Sequence, residues 1–282
     1  MNVLEALRQA RRLLPQVSDE PELEAELLLR HCLGVDRASL YRLLTAELSE
    51  EEQQRFRDLV RRRLIHEPTA YIIGHKEFFG LDFEVTPVAI IPRPETEVLV
   101  ELAIEAAHKK LLADALPIAD VGTGSGAIAV ALASALPEGK ITATDTSPEA
   151  LELAQRNAAR HRVDKRIRFL QSDLLDTVPG RVDVLVANLP YVTTADWKAL
   201  PPEIKDHEPR EGLDGGPDGL RVIERLLEQA PARLSPSGVL LAEIGDMQGR
   251  AAKAAARAAF PEAAVKVMPD PSGRDRVLAV HT

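Results

Sequence analysis

Pro117-Ile118-Ala119-Asp120-Val121-Gly122-Thr123-Gly124-Ser125-Gly126 is the stretch whose reading decides the fold. Its first half is a short apolar run of strand type and its second half a glycine loop, after which residues 125–136 read as a helix. Glycines here let the chain turn sharply out of a sheet and let a ligand approach the backbone, while the following helix offers unpaired amide donors. The same alternation continues outward. Residues 140–144 read as a second strand, and Ser147-Pro148-Glu149 supplies a cap and a first-turn proline for a helix running to about residue 161. Further strands are expected at 166–170, 182–187, 238–244, 264–268 and 276–280, with a helix at 95–113 before the first strand and an alanine-rich helix at 251–259. Strands alternating with helices mean a mostly parallel sheet covered on both faces. Only Pro269-Asp270-Pro271-Ser272-Gly273 separates the last two strands, which is too short for a crossover helix, so they pair antiparallel.

The first 74 residues read differently. Their apolar residues recur at helical spacing, as in Val3, Leu4, Leu7, then Leu23, Leu27, Leu28, and no strand signal interrupts them. Ser49 with Glu52 has the form of a capping box before a helix ending near Glu67, and Pro21 suits the first turn of another. The run Arg61-Arg62-Arg63 reads as a solvated helix face, with contact to RNA or an acidic partner as the sharper alternative. Residues 77–85 form two short alternating runs about Gly80, a hairpin, and Pro87, Pro92 and Pro94 punctuate a linker. The expected organisation is therefore a helical domain over 1–74, a hairpin and linker over 75–94, and an α/β domain over 95–282.

Composition narrows the function classes. The 282 residues carry 35 basic and 44 acidic side chains, a net charge of −9, which argues against a protein that grips long stretches of nucleic-acid backbone. Residues 1–74 hold eleven basic and thirteen acidic groups, so −7 of the −9 belongs to the remainder. The single cysteine, Cys32, precludes an internal disulfide, no apolar run approaches the length of a membrane span, and the histidines lack metal-ligand spacing. A soluble protein of the cytoplasm, without a metal, is expected.

The glycine loop is compatible with two kinds of cofactor. With Ala127 standing for the third glycine, and Asp145 following Gly122 at about the spacing of a ribose-binding acid, a nicotinamide enzyme fits. A nucleoside of another kind fits equally, Asp145 accepting two hydrogen bonds from ribose hydroxyls and Asp173 meeting a purine amino group; Asp173 could instead cap a helix. Asn188-Leu189-Pro190-Tyr191 closes the fourth strand, at the end of the sheet where ligands of such folds sit. Asp214-Gly215-Gly216 is read either as part of the site or as a turn whose glycines adopt positive φ.

Taken in order, these motifs resemble the protein-glutamine N-methyltransferases that modify peptide chain release factors (HemK/PrmC type). The resemblance spans essentially the whole chain: Glu77-Phe78 with Gly80-Leu81, residues 91–97 (Ile-Pro-Arg-Pro-Glu-Thr-Glu), the glycine loop, and His207-Glu208-Pro209-Arg210. It continues through Asp214-Gly215-Gly216 with Asp218-Gly219-Leu220, then Glu243-Ile244-Gly245 with Gln248, and Asp275-Arg276-Val277. It implies a Rossmann-like seven-stranded methyltransferase sheet, last strand antiparallel, preceded by a small helical bundle; because release factors are large and a lone catalytic domain recognises little more than the target loop, that bundle is expected to dock the substrate. It implies S-adenosylmethionine held by Gly122, Thr123, Gly124, Ser125, Gly126, Asp145, Asp173, Leu174 and Asn188, and methyl transfer to the glutamine of a Gly-Gly-Gln motif. Asn188, Leu189, Pro190 and Tyr191 would form the reaction site, the Asn188 side-chain oxygen and the Leu189 carbonyl each accepting an N–H of the target amide and Tyr191 packing on it. The implied partner is a release factor met by a monomer, with no stable nucleic-acid or membrane binding. One departure stands out, because the family has proline where this chain has Leu189. The competing readings are a methyltransferase of nucleic-acid base amines, a nicotinamide-dependent oxidoreductase, and a cofactor-binding module made inactive by Leu189.

Overall fold

Two helices of the amino-terminal region open with reciprocal caps. Asn2 and Ser49 each accept the backbone N–H of the glutamate three residues on, and those glutamates, Glu5 and Glu52, accept the N–H of the capping residue in return. The structure, a computed structural model, describes residues 1–110 and 116–282. It divides into two units, Met1–His75 with Pro201–His207, and Lys76–Leu200 with Glu208–Thr282.

The first unit holds α1 (Val3–Leu13), α2 (Pro21–Leu33), α3 (Arg37–Arg42), α4 (Glu50–Leu64) and α5 (Thr69–Ile73). Pro21 occupies the first turn of α2, and Gly34 ends that helix in the left-handed conformation. Leu7, Leu14, Leu28, Leu29, Leu40 and Phe56 are buried together as its core. The helix expected to reach Glu67 stops at Leu64, and Arg62 reaches forward to pair with Glu67 at 2.5 Å. The arginine run is not one solvated face. Arg61 pairs with Asp58 in solvent, whereas Arg63 is only 2% exposed and bonds Glu24 (2.8 Å), the Val17 carbonyl (2.6 Å) and Glu203 (2.6 Å). Glu203 comes from the segment 201–207, which the sequence places in the α/β domain.

From Lys76 the second unit opens with the hairpin of β1 (His75–Phe78, its first residue belonging to the first unit) and β2 (Leu81–Glu84), whose turn residues Phe79 and Gly80 both have positive φ, a conformation matched to strand twist. Asn157, 1% exposed, ties the hairpin to the glycine loop: it bonds both backbone groups of Glu84 and the Ser125 carbonyl. After a single 3-10 turn at Pro94–Thr96 come α6 (Glu97–His108), β3 (Leu116–Val121), α7 (Ala127–Ala135), β4 (Gly139–Asp145), α8 (Pro148–Arg160), β5 (Ile167–Gln171) and β6 (Val182–Ala187). The part of the expected 95–113 helix beyond residue 110 lies outside the described residues. Then follow α9 (Thr194–Ala199), α10 (Pro202–Lys205, within the first unit), α11 (Arg221–Arg233), β7 (Leu234–Glu243), α12 (Gly249–Ala259), β8 (Ala264–Pro269) and β9 (Asp275–His281).

Seven strands, β3 to β9, form one sheet in the order β5-β4-β3-β6-β7-β9-β8. All its pairings are parallel except those of β9, which runs antiparallel to both β7 and β8. Two apolar clusters, one on each side of β3, account for its burial: Ile118 packs with α6 and α7, Ala119 and Val121 with α11 and α12. Strand β7 starts four residues earlier than its sequence signal, in an irregular stretch where Ser237 has φ 62° and the β6 pairing shifts register.

Replacing Arg63 by methionine leaves Glu24 and Glu203 without their shared partner while those carboxylates stay partly in water, so a loss of about 1–3 kcal/mol is expected. Thermal unfolding checks the size. Hydrogen exchange checks the place, because residues 17–24 and 201–207 should lose protection together.

Candidate active site

Register builds the site. Val121 of β3 lies opposite Thr144 of β4 and Ala187 of β6, and Ala187 lies opposite Ala242 of β7. The next residues are therefore Gly122, Asp145, Asn188 and Glu243, side by side along one edge of the sheet. The chain runs outward from β3 through β4 to β5 and then returns to the other side of β3 at β6, so this edge includes the strand-order reversal where such sheets bind ligands. A cleft of about 450 Å³ opens there, lined among others by Gly122, Gly124, Asp145, Asp173, Leu174, Asn188, Leu189 and Pro190.

The glycine loop is held from three sides. The amides of Gly122 and Thr123 both donate to the Thr144 carbonyl, and the amide of Gly124 donates to Asp145 Oδ2 at 2.9 Å. Asp145 Oδ1 accepts the Ser147 amide, so each carboxylate oxygen is anchored by one bond and keeps a second acceptor position. A Cβ on Gly122 would stand 2.8 Å from Leu189 Cδ2, so the glycine loop and the loop that begins at Asn188 touch there. Gly126 faces α8 instead, with φ 82° and room for a Cβ only 2.9 Å from that of Ala154. Behind the loop, Asp120 is fully buried; its Oδ2 accepts the Thr123 hydroxyl (2.6 Å) and the Ala129 amide (3.1 Å), capping α7 from the strand. Burial pushes its carboxyl up to about 7.

Four of the expected residues lie outside the cleft lining. Thr123, Ser125 and Gly126 shape the loop from behind and do not line the cleft, and Tyr191 does not line it either. The Tyr191 hydroxyl donates to Glu243 Oε1 at 3.0 Å, and burial, with Glu243 beside it, raises its pKa. Asp173 caps no helix: its Oδ2 accepts from Arg225 at 2.6 Å on the cleft rim, while Ser172 supplies the local turn by accepting the Thr177 amide. Leu174 lines the cleft with φ 51°, its carbonyl accepting the Thr144 hydroxyl.

Residues 213–219 buttress the reaction loop. The Val192 amide donates to the Leu213 carbonyl and the Gly215 amide to the Val192 carbonyl, while Gln248 Nε2 donates to the carbonyls of Tyr191 and Asp218. Both readings of the glycines there hold in part. Gly216 and Gly219 have positive φ, but a Cβ on Gly215 or Gly219 would also come within 2.5 Å or 2.1 Å of the carbonyl oxygens of Pro190 and Tyr191. Asp214 is held at about 2 by the Thr194 hydroxyl, Arg210 and the Gly216 amide. Arg210 lies 4.1 Å over the ring of Trp197.

Several participants carried no sequence assignment to the site. Thr96 and Glu243, 4% and 1% exposed, hydrogen-bond each other at 2.7 Å, and Asn188 Nδ2 donates to Thr96 Oγ1 at 3.0 Å. Burial raises the Glu243 carboxyl, opposed by the bonds from Thr96 and Tyr191 and by the charge of Arg276. Glu208, also buried, accepts the Ile91 amide at 3.1 Å and pairs with Arg93, which fixes the wall formed by Val88, Ala89 and Ile90. Their polarity within apolar context was the available signal, but the partners are 92 to 147 residues apart. Among the described residues, no group of three or more His, Cys, Asp or Glu could hold a metal ion, and no helix is long and apolar enough to cross a membrane.

The Asp120 geometry makes a pH prediction. Its folded value of about 7 lies above its ordinary 3.8, so its contribution to stability is complete below about pH 4 and is lost as pH rises through 7. The melting temperature of the parent chain should fall from about pH 5 to about pH 8 more steeply than that of Asp120→Asn. Parallel curves would exclude Asp120 as the titrating group.

Comparison with known proteins agrees with this architecture. Residues 5–74 match the PrmC N-terminal domain and residues 97–200 the methyltransferase small domain. Among solved structures, a methyltransferase from Pyrococcus furiosus superposes with a TM-score of 0.53 at 24% identity, covering 73% of this chain and 91% of that one. The hMettl16 catalytic domain, solved with an RNA hairpin, gives 0.57 at 16% identity over 79% of this chain and 81% of that one. At those identities the likeness is one of fold alone. The release factor glutamine methyltransferase of Moorella thermoacetica is 44% identical over 100% of this chain and 99% of its own length, and that of Geobacter sulfurreducens is 42% identical over 92% and 89%. The chain belongs to the release factor glutamine methyltransferase family.

Proposed function

We propose that this chain transfers a methyl group from S-adenosylmethionine to the side-chain amide nitrogen of the glutamine in the Gly-Gly-Gln motif of a peptide chain release factor. The observation that carries this reading is the alignment of Gly122, Asp145 and Asn188 around one cleft, a nucleoside cradle beside an amide-recognising loop. The cradle fits the cofactor: Asp145 has acceptor positions for a ribose diol, Leu174 and Ala150 offer apolar surface, and Gly122 and Gly124 leave the backbone open to close approach. Bound there, S-adenosylmethionine would supply a methyl group made electrophilic by its sulfonium, the remainder of the cofactor leaving as a neutral thioether.

An amide nitrogen is a weak nucleophile because its lone pair is delocalised into the carbonyl. Asn188 Oδ1 and the Leu189 carbonyl accept its two N–H groups, which directs the lone pair toward the methyl group, and one amide proton leaves to water. Catalysis then rests on position and on exclusion of water, without a dedicated general base. Pro190 and Leu189 line the same wall, so Leu189 keeps the carbonyl acceptor, and its position before Pro190 keeps it extended. The first unit would dock the factor; its exposed apolar side chains Leu13, Leu23 and Ile65 are 42%, 43% and 66% accessible.

The reaction is tested with the purified chain, labelled S-adenosylmethionine and a release factor. Label is expected on the motif glutamine; equal labelling of a factor carrying alanine there, or labelling of duplex DNA instead, would overturn the reading. Asn188→Ala is expected to lower kcat on the order of a hundredfold, and Asp145→Ala to weaken cofactor binding roughly tenfold or more by calorimetry. For docking, Ile65→Glu should raise KM for the intact factor and leave that of a short glutamine peptide unchanged.

A further inference from the structure

We infer that Thr96 and Glu243 are positioning residues that fix which end of the Asn188 side-chain amide faces the cleft. The inference deepens the proposed reaction and rests on it. A side-chain amide has a donor end and an acceptor end of nearly the same shape, and the target amide brings N–H groups, so Asn188 must present oxygen. Nothing in the shape of Asn188 alone selects that orientation. The selection comes from a count of protons. Both oxygens of Glu243 serve as acceptors, Oε1 from Tyr191 at 3.0 Å and Oε2 from Thr96 at 2.7 Å. The Thr96 hydroxyl has one proton and spends it on Glu243, so toward Asn188 it can only accept. The group facing it at 3.0 Å is then Nδ2, and Oδ1 is the end left for the cleft that Asn188 lines.

Two features hold this chain of bonds in one sense. Thr96 and Glu243 are almost entirely buried, so water does not compete to reverse the donors. Glu243 is also set by β-sheet register beside Asn188, on a strand paired on both edges, and Thr96 begins the helix α6 that packs on β6 and β7. The motif 91–97 and the motif 243–245 thus converge on one atom of the reaction loop. Reversal of the relay, with a donor at position 243, would let Thr96 donate to Asn188 and turn its NH2 toward a substrate that also carries only N–H groups there.

The test uses the full chain with labelled S-adenosylmethionine and the intact release factor, together with the side-chain amide NMR signal of Asn188, assigned by its loss in Asn188→Asp. Thr96→Val removes the hydroxyl at nearly constant volume; kcat should fall roughly tenfold to a hundredfold, with KM for the factor and cofactor affinity within about twofold of the parent. Thr96→Ser should recover most of the turnover. Glu243→Gln should lower kcat similarly, and the double variant should be no worse than the poorer single one. The Asn188 amide signal should shift toward that of a free asparagine in Thr96→Val and return in Thr96→Ser. Parent-like kcat and an unmoved Asn188 signal in folded Thr96→Val would overturn the inference, as would a serine variant as poor as valine or a loss confined to KM. If the parent labels no glutamine while the Asn188 signal still responds to Thr96, the proposed reaction fails and the orienting relay stands.

Discussion

Parallel pairing in one register is the constraint on which the rest of this structure depends. Because β3, β4, β6 and β7 end level with one another, four residues far apart in sequence, Gly122, Asp145, Asn188 and Glu243, are delivered to one edge without any of them having to reach. A slip of one residue in any pair would exchange the faces of that strand and turn its terminal side chain away. The apolar runs Ile118-Ala119, Val184-Leu185-Val186 and Leu240-Leu241-Ala242 prevent the slip, being buried on both faces between helices. Burial therefore supplies more than stability. It sets the precision of the site.

Polar groups within that burial do a second kind of work. Asp120, Asn157, Glu208 and Glu243 are each 5% exposed or less, and each ties a loop to a neighbouring element: the glycine loop to α7, the hairpin to the glycine loop, the cleft wall to the segment after α10, and the reaction loop to α6. Burying such groups costs free energy unless their bonds are made, so the loops around the cleft are held in one arrangement before any ligand arrives. This preorganisation suits a reaction in which orientation of a poor nucleophile is the main task. It also explains why so many glycines gather there, since the backbone of Gly215 and Gly219 must pass within contact distance of the loop that it supports.

The features legible in the sequence were those written over short distances. Ser49 with Glu52, Pro21, Ser147-Pro148 and the glycine loop each announce a local conformation, and alternating apolar runs announce the sheet, down to the antiparallel final strand. Features that need the chain to return on itself were not legible. Arg63 looks like its exposed neighbours until Glu24 and Glu203 arrive, and nothing local to Asp173 announces its pairing with Arg225 of α11. Nothing local to Tyr191 announces that its hydroxyl bonds Glu243, set beside Asn188 only by the pairing of β6 with β7. The masking factor throughout is sequence separation, which no local periodicity records.

The segment 201–207 has a consequence for how the molecule comes into being. The helical unit is written in two pieces, and the carboxylate of Glu203, one of the partners of Arg63, lies 140 residues downstream of it. During synthesis from the amino terminus, α1 to α5 emerge early but cannot complete their polar interior until residue 203 has left the ribosome, after most of the sheet strands have already been made. The first unit to appear is thus still unfinished when β3 to β6 have already been made. For the same reason, a cut after residue 75 does not release a whole domain: it removes five helices and strands the short sixth piece that belongs to them.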